Sequence, residues 1–117
     1  MGTTWSALGR SAKKLPGVEE GSSYGTAALK VRGKLIARLK EDGDTVALGV
    51  ELDARDALIE LDPKSFFVTD HYRAHPWVLV RLGQVPVALL DELLELAWRR
   101  KAPKRLIDAS PSRTKRK

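Results

Sequence analysis

The hydrophobic positions of this chain change period several times, and each change marks an element. Trp5, Leu8, Ala12 and Leu15 recur at helical spacing behind Thr3 and Thr4, either of which can cap a helix start. Lys13 and Lys14 suit the C-terminal end of that helix electrostatically, and Pro16-Gly17 stops it. From Ala27 the period drops to two. AALKV and LIARLK flank Arg32-Gly33-Lys34, and TVALGVEL follows the turn Glu41-Asp42-Gly43-Asp44. Three antiparallel strands are therefore expected over residues 27–52. A three-residue loop with Gly33 at positive φ puts Leu29, Val31, Leu35, Ala37 and Leu39 on one face. Lys30, Arg38 and Lys40 then share the other face with Ile36. A two-residue loop would scramble both faces. In the third strand Val46, Leu48, Val50 and Leu52 point inward, and Ala47 and Gly49 opposite them are small enough to let something pack closely.

Asp53 caps a short helix, ARDALIEL, with Asp56 in its first turn, and Asp62-Pro63 ends it. The stretch from Phe66 to Leu82 reads as two strands folded back around Arg73-Ala74-His75. That loop pairs Phe66 with Leu82, Val68 with Val80 and Tyr72 with Pro76. One face then carries Phe66, Val68, Val78, Val80 and Leu82, the other Phe67, Thr69, His71, Trp77, Leu79 and Arg81. A last helix follows in GQVPVALLDELLELAWRRKAP, with Pro86 in its first turn and Leu90, Leu93, Leu94 and Ala97 as its buried stripe. KRLIDA adds a short closing turn. The order is α-β-β-β-α-β-β-α, an α+β domain over residues 1–109 with a basic, disordered tail over 110–117.

Charge sharpens this picture more than composition does. The formal net charge is +6, but residues 1–98 hold 12 basic and 14 acidic side chains, while residues 99–117 hold 9 basic and one acidic. The basicity belongs to the C-terminal end, so an argument from overall charge to nucleic acid is weak. With no cysteine there is no disulfide frame and no thiolate metal site. No apolar run reaches the length of a membrane span, and no basic-then-apolar leader opens the chain. A cytoplasmic, monomeric protein without membrane contact is expected.

Candidate chemistry is sparse. Gly21-Ser22-Ser23-Tyr24-Gly25 spells G-x-S-x-G, the nucleophile elbow of esterases, but the strand before it and helix after it are missing, so the match reads as chance. Asp70, His71 and His75 fall short of the three or four convergent ligands that zinc sites use. No phosphate-binding glycine loop is present. No catalytic residue, cofactor or metal is expected. What remains is a sheet face of aromatics interleaved with His and Arg, able to stack on bases and meet phosphates, or simply packed under a helix.

The words LPGVEEGSSYGTAALKVRGKLIARL, VALGVELDARDALIELDPKSFFVTDHY, PWVLVRL and ELAWRRKAPKRL stand in one order from Leu15 to Leu106. In these the chain resembles the bacterial MmcQ/YjbR family. GQVPVALL departs from the polar, Asp-rich helix start of that pattern, and the Arg/Lys tail is an addition. The resemblance implies a curved antiparallel sheet with helices packed on it. It also implies a proposed DNA-binding role through two β-hairpin wings, here Lys30 to Arg38 and Asp70 to Trp77. On that reading Lys30, Arg32, Lys34, Arg38, Lys40, Arg73, His75, Trp77 and Arg81 contact duplex DNA, weakly and without sequence preference. One alternative is a protein- or peptide-binding module using a sheet face or edge. Another is a small-molecule pocket around Tyr24, Asp70, His71 and Trp77.

Overall fold

Thr4 starts the first helix by accepting the Ala7 N–H at 3.2 Å on its Oγ1, in a computed structural model that describes residues 2–109. Helix α1 (Trp5–Ala12) turns Leu8 and Ala12 into the core, with Leu15 beside them. Gly17 closes the segment at φ 77°, where a Cβ would also meet Leu106 Cδ1 at 2.7 Å. Six strands follow: β1 (Val18–Ser23), β2 (Thr26–Val31), β3 (Lys34–Leu39), β4 (Thr45–Gly49), β5 (Phe66–Phe67) and β6 (Trp77–Arg81). Every pairing is antiparallel and the spatial order is β1-β2-β3-β4-β6-β5. Helix α2 (Leu52–Leu61) lies between β4 and β5 in the chain, and α3 (Val87–Lys101) and α4 (Lys104–Ala109) follow β6.

One face of the sheet buries Leu29, Val31, Val46, Leu48, Phe66, Val78 and Val80 against α1 and α3. From α3 come Leu90, Leu93, Leu94, Ala97 and a fully buried Trp98, whose indole N–H donates to Pro16 O at 2.8 Å. That bond ties the last long helix to the end of the first. Buried Glu95 is paired with Arg99 one turn on, at 3.3 Å.

The α+β class and the antiparallel sheet match expectation; several details differ, each for a physical reason. Strand β1 is an additional edge strand. Its sequence, VEEGSS, has no apolar alternation, because its outer side meets solvent and only Val18 packs on the core. Between β2 and β3 the loop has two residues, Arg32 (φ 52°) and Gly33 (φ 79°), with Val31 opposite Lys34. A bulge then shifts the register between Leu29 and Lys30, so Lys30 faces Leu35 while Leu29 faces Ala37. The extra residue is Ile36. It enters the core, and Leu35 turns to the opposite face; the expected assignments of these two are exchanged. In the central hairpin Phe66 pairs with Val80, not Leu82, and only two residues of the first arm are in the ladder. An offset of two preserves the faces. Val68 and Tyr72 leave the ladder because Asp70–Tyr72 form a 3-10 turn, closed by Tyr72 N–H to Thr69 O at 3.0 Å. Helix α2 starts two residues early, behind Glu51, leaving Asp53 in its first turn rather than at the cap. The basic tail expected over 110–117 lies outside the described residues.

Candidate functional site

Among the described residues, no long helix packs on the second face of the sheet. Ladder pairing places Lys30, Leu35, Arg38, Ala47, Trp77 and Leu79 on it, since directly opposed residues share a side. The segment 68–76 folds over part of this face and is held there by a buried cation. Arg55 of α2, 6% exposed, donates from Nη1 to the carbonyls of Tyr72, Arg73 and His75 at 3.3, 3.0 and 3.1 Å. The Tyr72 and His75 carbonyls also accept the backbone N–H groups of His75 and Trp77, at 2.9 and 2.8 Å, so Arg55 reinforces a segment already bonded within itself.

Between this segment and the β1–β2 turn lies a cleft of about 600 Å³. Its floor is Leu35 and Ala47. Tyr24, Arg38, Lys40 and Glu41 form one wall, and His71, Tyr72, His75 and Trp77 the other. Arg38 is 5% exposed and held by two bonds, Nε to Ser23 O at 3.0 Å and Nη2 to Glu41 Oε2 at 2.7 Å. Its guanidinium carbon stands 5.2 Å from the centre of the Tyr24 ring. Lys40 bridges the walls, donating from Nζ to the Tyr72 hydroxyl at 3.2 Å and lying 5.0 Å from that ring's centre. His71 meets Tyr72 edge to face with ring centres 4.9 Å apart. Glu41 is the acidic member of the lining. Its own backbone N–H, then the Arg38 side chain, hold its carboxyl below the usual value.

Tyr24 stands at the lip, 86% exposed, with φ 53°. It occupies the first central position of the turn joining Ser23 to Thr26, where the backbone favours Asn or Gly. The Arg32-Gly33 turn repeats this arrangement at the other end of β2.

The sequence-expected residues divide into three groups. Tyr24, Arg38, Lys40, His71, His75 and Trp77 converge on the cleft. Lys30 is half-buried beside it, and Arg32 and Lys34 are exposed at the β2–β3 turn; none of these three has an ion pair among the described residues. The others point elsewhere. Arg73 pairs with Asp70 at 3.0 Å, and both are exposed outside the cleft. Arg81 lies 4.1 Å from the centre of the Phe67 ring and donates to the carbonyls of Pro63 and Lys64 at 3.1 Å. Sequence reasoning missed Leu35, Tyr72, Glu41 and Ala47 as lining residues. Only Ala47 left a signal, its small size on the uncovered face. Ser23 ends β1 and leads into a hairpin turn, so the elbow geometry that its motif would need does not form. Among the described residues no three His, Asp or Glu side chains are grouped to hold a metal ion, and no helix is long and apolar enough to cross a membrane. A smaller groove of about 270 Å³ runs between α2 and α3 beside the half-exposed Leu96, but neither edge strand of the sheet lines it.

A family model described as YjbR matches residues 13–100. Uncharacterised proteins of Mycobacterium bovis and Mycobacterium tuberculosis are 41% identical over 68 residues, 57% of this chain and 53% of theirs. The chain thus spans about half the length of the curated relatives it matches. A crystal structure of a Deinococcus radiodurans protein with a DUF419 domain superposes with a TM-score of 0.70 at 27% identity, covering 81% of this chain and 75% of that one.

Proposed function

The chain belongs to the YjbR family, and we propose that it binds DNA without sequence preference through the uncovered face of its sheet. The observation that supports this best is the convergence of Arg38, Lys40, His71 and His75 with Tyr24, Tyr72 and Trp77 on one cleft. Cations set beside aromatic faces suit a polymer of alternating phosphates and bases. Lys30, Arg32 and Lys34 lead up to the cleft without a counter-ion among the described residues, and on this reading they meet phosphates. Arg73 and Arg81 lie outside the cleft lining and contribute less. On this reading Arg38 and Lys40 act with the segment 68–76 as opposite walls of one surface, and the tip Arg32 to Lys34 lies outside the lining. The proposed role is binding alone, by a monomer, with no reaction.

Binding is weak, because residues 1–98 carry 12 basic against 14 acidic side chains. A dissociation constant on the order of 1–100 μM for duplex at physiological salt is expected. The test is fluorescence anisotropy with a labelled duplex over a range of salt, using three full-length proteins. The first is unaltered. The second has Arg113, Lys115, Arg116 and Lys117 replaced by serine. The third adds Lys30→Ala, Arg32→Ala and Lys34→Ala. The second protein should still bind, and the third should lose about 0.9 units of log–log salt slope for each phosphate contact removed. If the second protein does not bind at all, or the third has an unchanged slope, the sheet face is not the contact surface.

A further inference from the structure

We propose that the cleft takes one unstacked nucleotide of a single strand, so that the protein prefers single-stranded to duplex DNA. This inference rests on the nucleic-acid reading and goes beyond it. The cleft volume, about 600 Å³, falls within the range of small-molecule pockets. A duplex offers such a cleft only its sugar-phosphate rim, because its bases are stacked and paired. The lining argues for a base. Tyr72 and Trp77 present ring surface on one wall, and Tyr24 presents a nearly fully exposed ring on the other.

Tyr24 carries a second argument. A tyrosine at positive φ in a two-residue hairpin turn is unfavourable for folding, and an exposed ring gains little from burial to offset it. Arg32 has the same backbone geometry away from the cleft, so it is the exposed ring at the cleft lip, and not the φ alone, that marks Tyr24. The Arg38 guanidinium over one side of the Tyr24 ring orients it towards the cleft, leaving ring surface for a stacked base. The phosphate of the same nucleotide meets Lys40 and Arg38 below. Both are already fixed by Tyr72, Ser23 and Glu41, so little side-chain order is lost on binding.

The test uses full-length protein carrying the four serine replacements in the tail, so that non-specific tail contacts do not mask the cleft. Its probes are a labelled twelve-residue thymidine oligonucleotide, a labelled twelve-base-pair duplex, and thymidine monophosphate as competitor. The oligonucleotide should bind about tenfold more tightly than the duplex. Tyr24→Asn, which suits the turn and should not lower the melting temperature, should weaken oligonucleotide binding about tenfold and change duplex binding less than twofold. Equal affinity for the two probes, unaltered by Tyr24→Asn, overturns the inference and leaves the nucleic-acid reading standing. Binding of neither probe overturns that reading itself. Competition by the monophosphate as strong, per nucleotide, as that of unlabelled oligonucleotide would assign the cleft to a free nucleotide instead of a strand.

Discussion

The Glu41 carboxylate lies 2.7 Å from Arg38 Nη2 and 3.9 Å from Lys40 Nζ, and so neutralises part of the cationic wall it belongs to. Glu41 is two-thirds exposed, while its partner Arg38 is buried and keeps its bond to Ser23 O. The effect to measure is on ligand affinity. Glu41→Gln should tighten oligonucleotide binding up to about fivefold at low salt, measured by anisotropy. Weaker binding would mean that Glu41 holds Arg38 in the geometry that binding needs. The neighbouring Asp42 acts on the fold instead. Its Oδ1 accepts the N–H of Asp44 at 2.8 Å and of Thr45 at 2.9 Å, and Oδ2 accepts the Thr45 hydroxyl at 2.8 Å. These bonds, that from Asp44 foremost, lower its carboxyl below the usual value. A depressed pKa in the folded state contributes stability that is complete above the ordinary carboxylate range and lost as pH falls through the lowered value. The stability difference between the parent and Asp42→Asn, followed by urea unfolding, should therefore be largest near neutrality and shrink in acid. A difference that stays constant with pH would place the contribution elsewhere.

At the scale of elements, α3 and the sheet share the core, and Leu93 lies in it at 7% exposure. Leu93→Ala should lower unfolding free energy by about 2–5 kcal/mol; a loss under half a kcal/mol would contradict the packing described. That helix was legible because its stripe, its Pro86 start and its late Arg99, Arg100 and Lys101 agree with one another. The faces of the central hairpin were legible too, since an error of two in register leaves parity intact. The β2–β3 faces were not. A two-residue loop without a bulge would scramble both faces, so a three-residue loop was expected. The bulge that corrects the faces follows from no local pattern. One residue hinted at it: Ile36 stood alone among basic side chains, where burial would be lost. Strand β1 was illegible for another reason. An edge strand with a polar outer face owes its structure to its partner β2, and its own sequence shows only Val18. Of the site, Tyr24, Arg38, Lys40, His71, His75 and Trp77 were visible in sequence, and Glu41 and Tyr72 were not. Nor was the grouping of these residues, because it depends in part on Arg55 holding the 72–75 carbonyls from a different element.

At the scale of the whole molecule, the helices cover one face of a six-stranded sheet and leave the other to a cleft between its two hairpin arms. The arrangement separates two jobs. The covered face holds Phe66, Trp98 and the aliphatic core, and the other face carries Arg38, Lys40 and the aromatic walls. On the proposed reading the basic residues of 110–117 would be a separate source of affinity for any polyanion, so binding must be resolved by position. Amide chemical-shift mapping of the full-length, uniformly nitrogen-labelled protein, titrated with a short single-stranded oligonucleotide, provides that resolution. The account predicts that the largest shifts fall on Tyr24, on Leu35 to Glu41, on Ala47 and on His71 to Trp77, together with the indole N–H of Trp77. Shifts confined to residues 110–117, or centred on the α2–α3 groove at Ala54, Leu96 and Arg100, would contradict it.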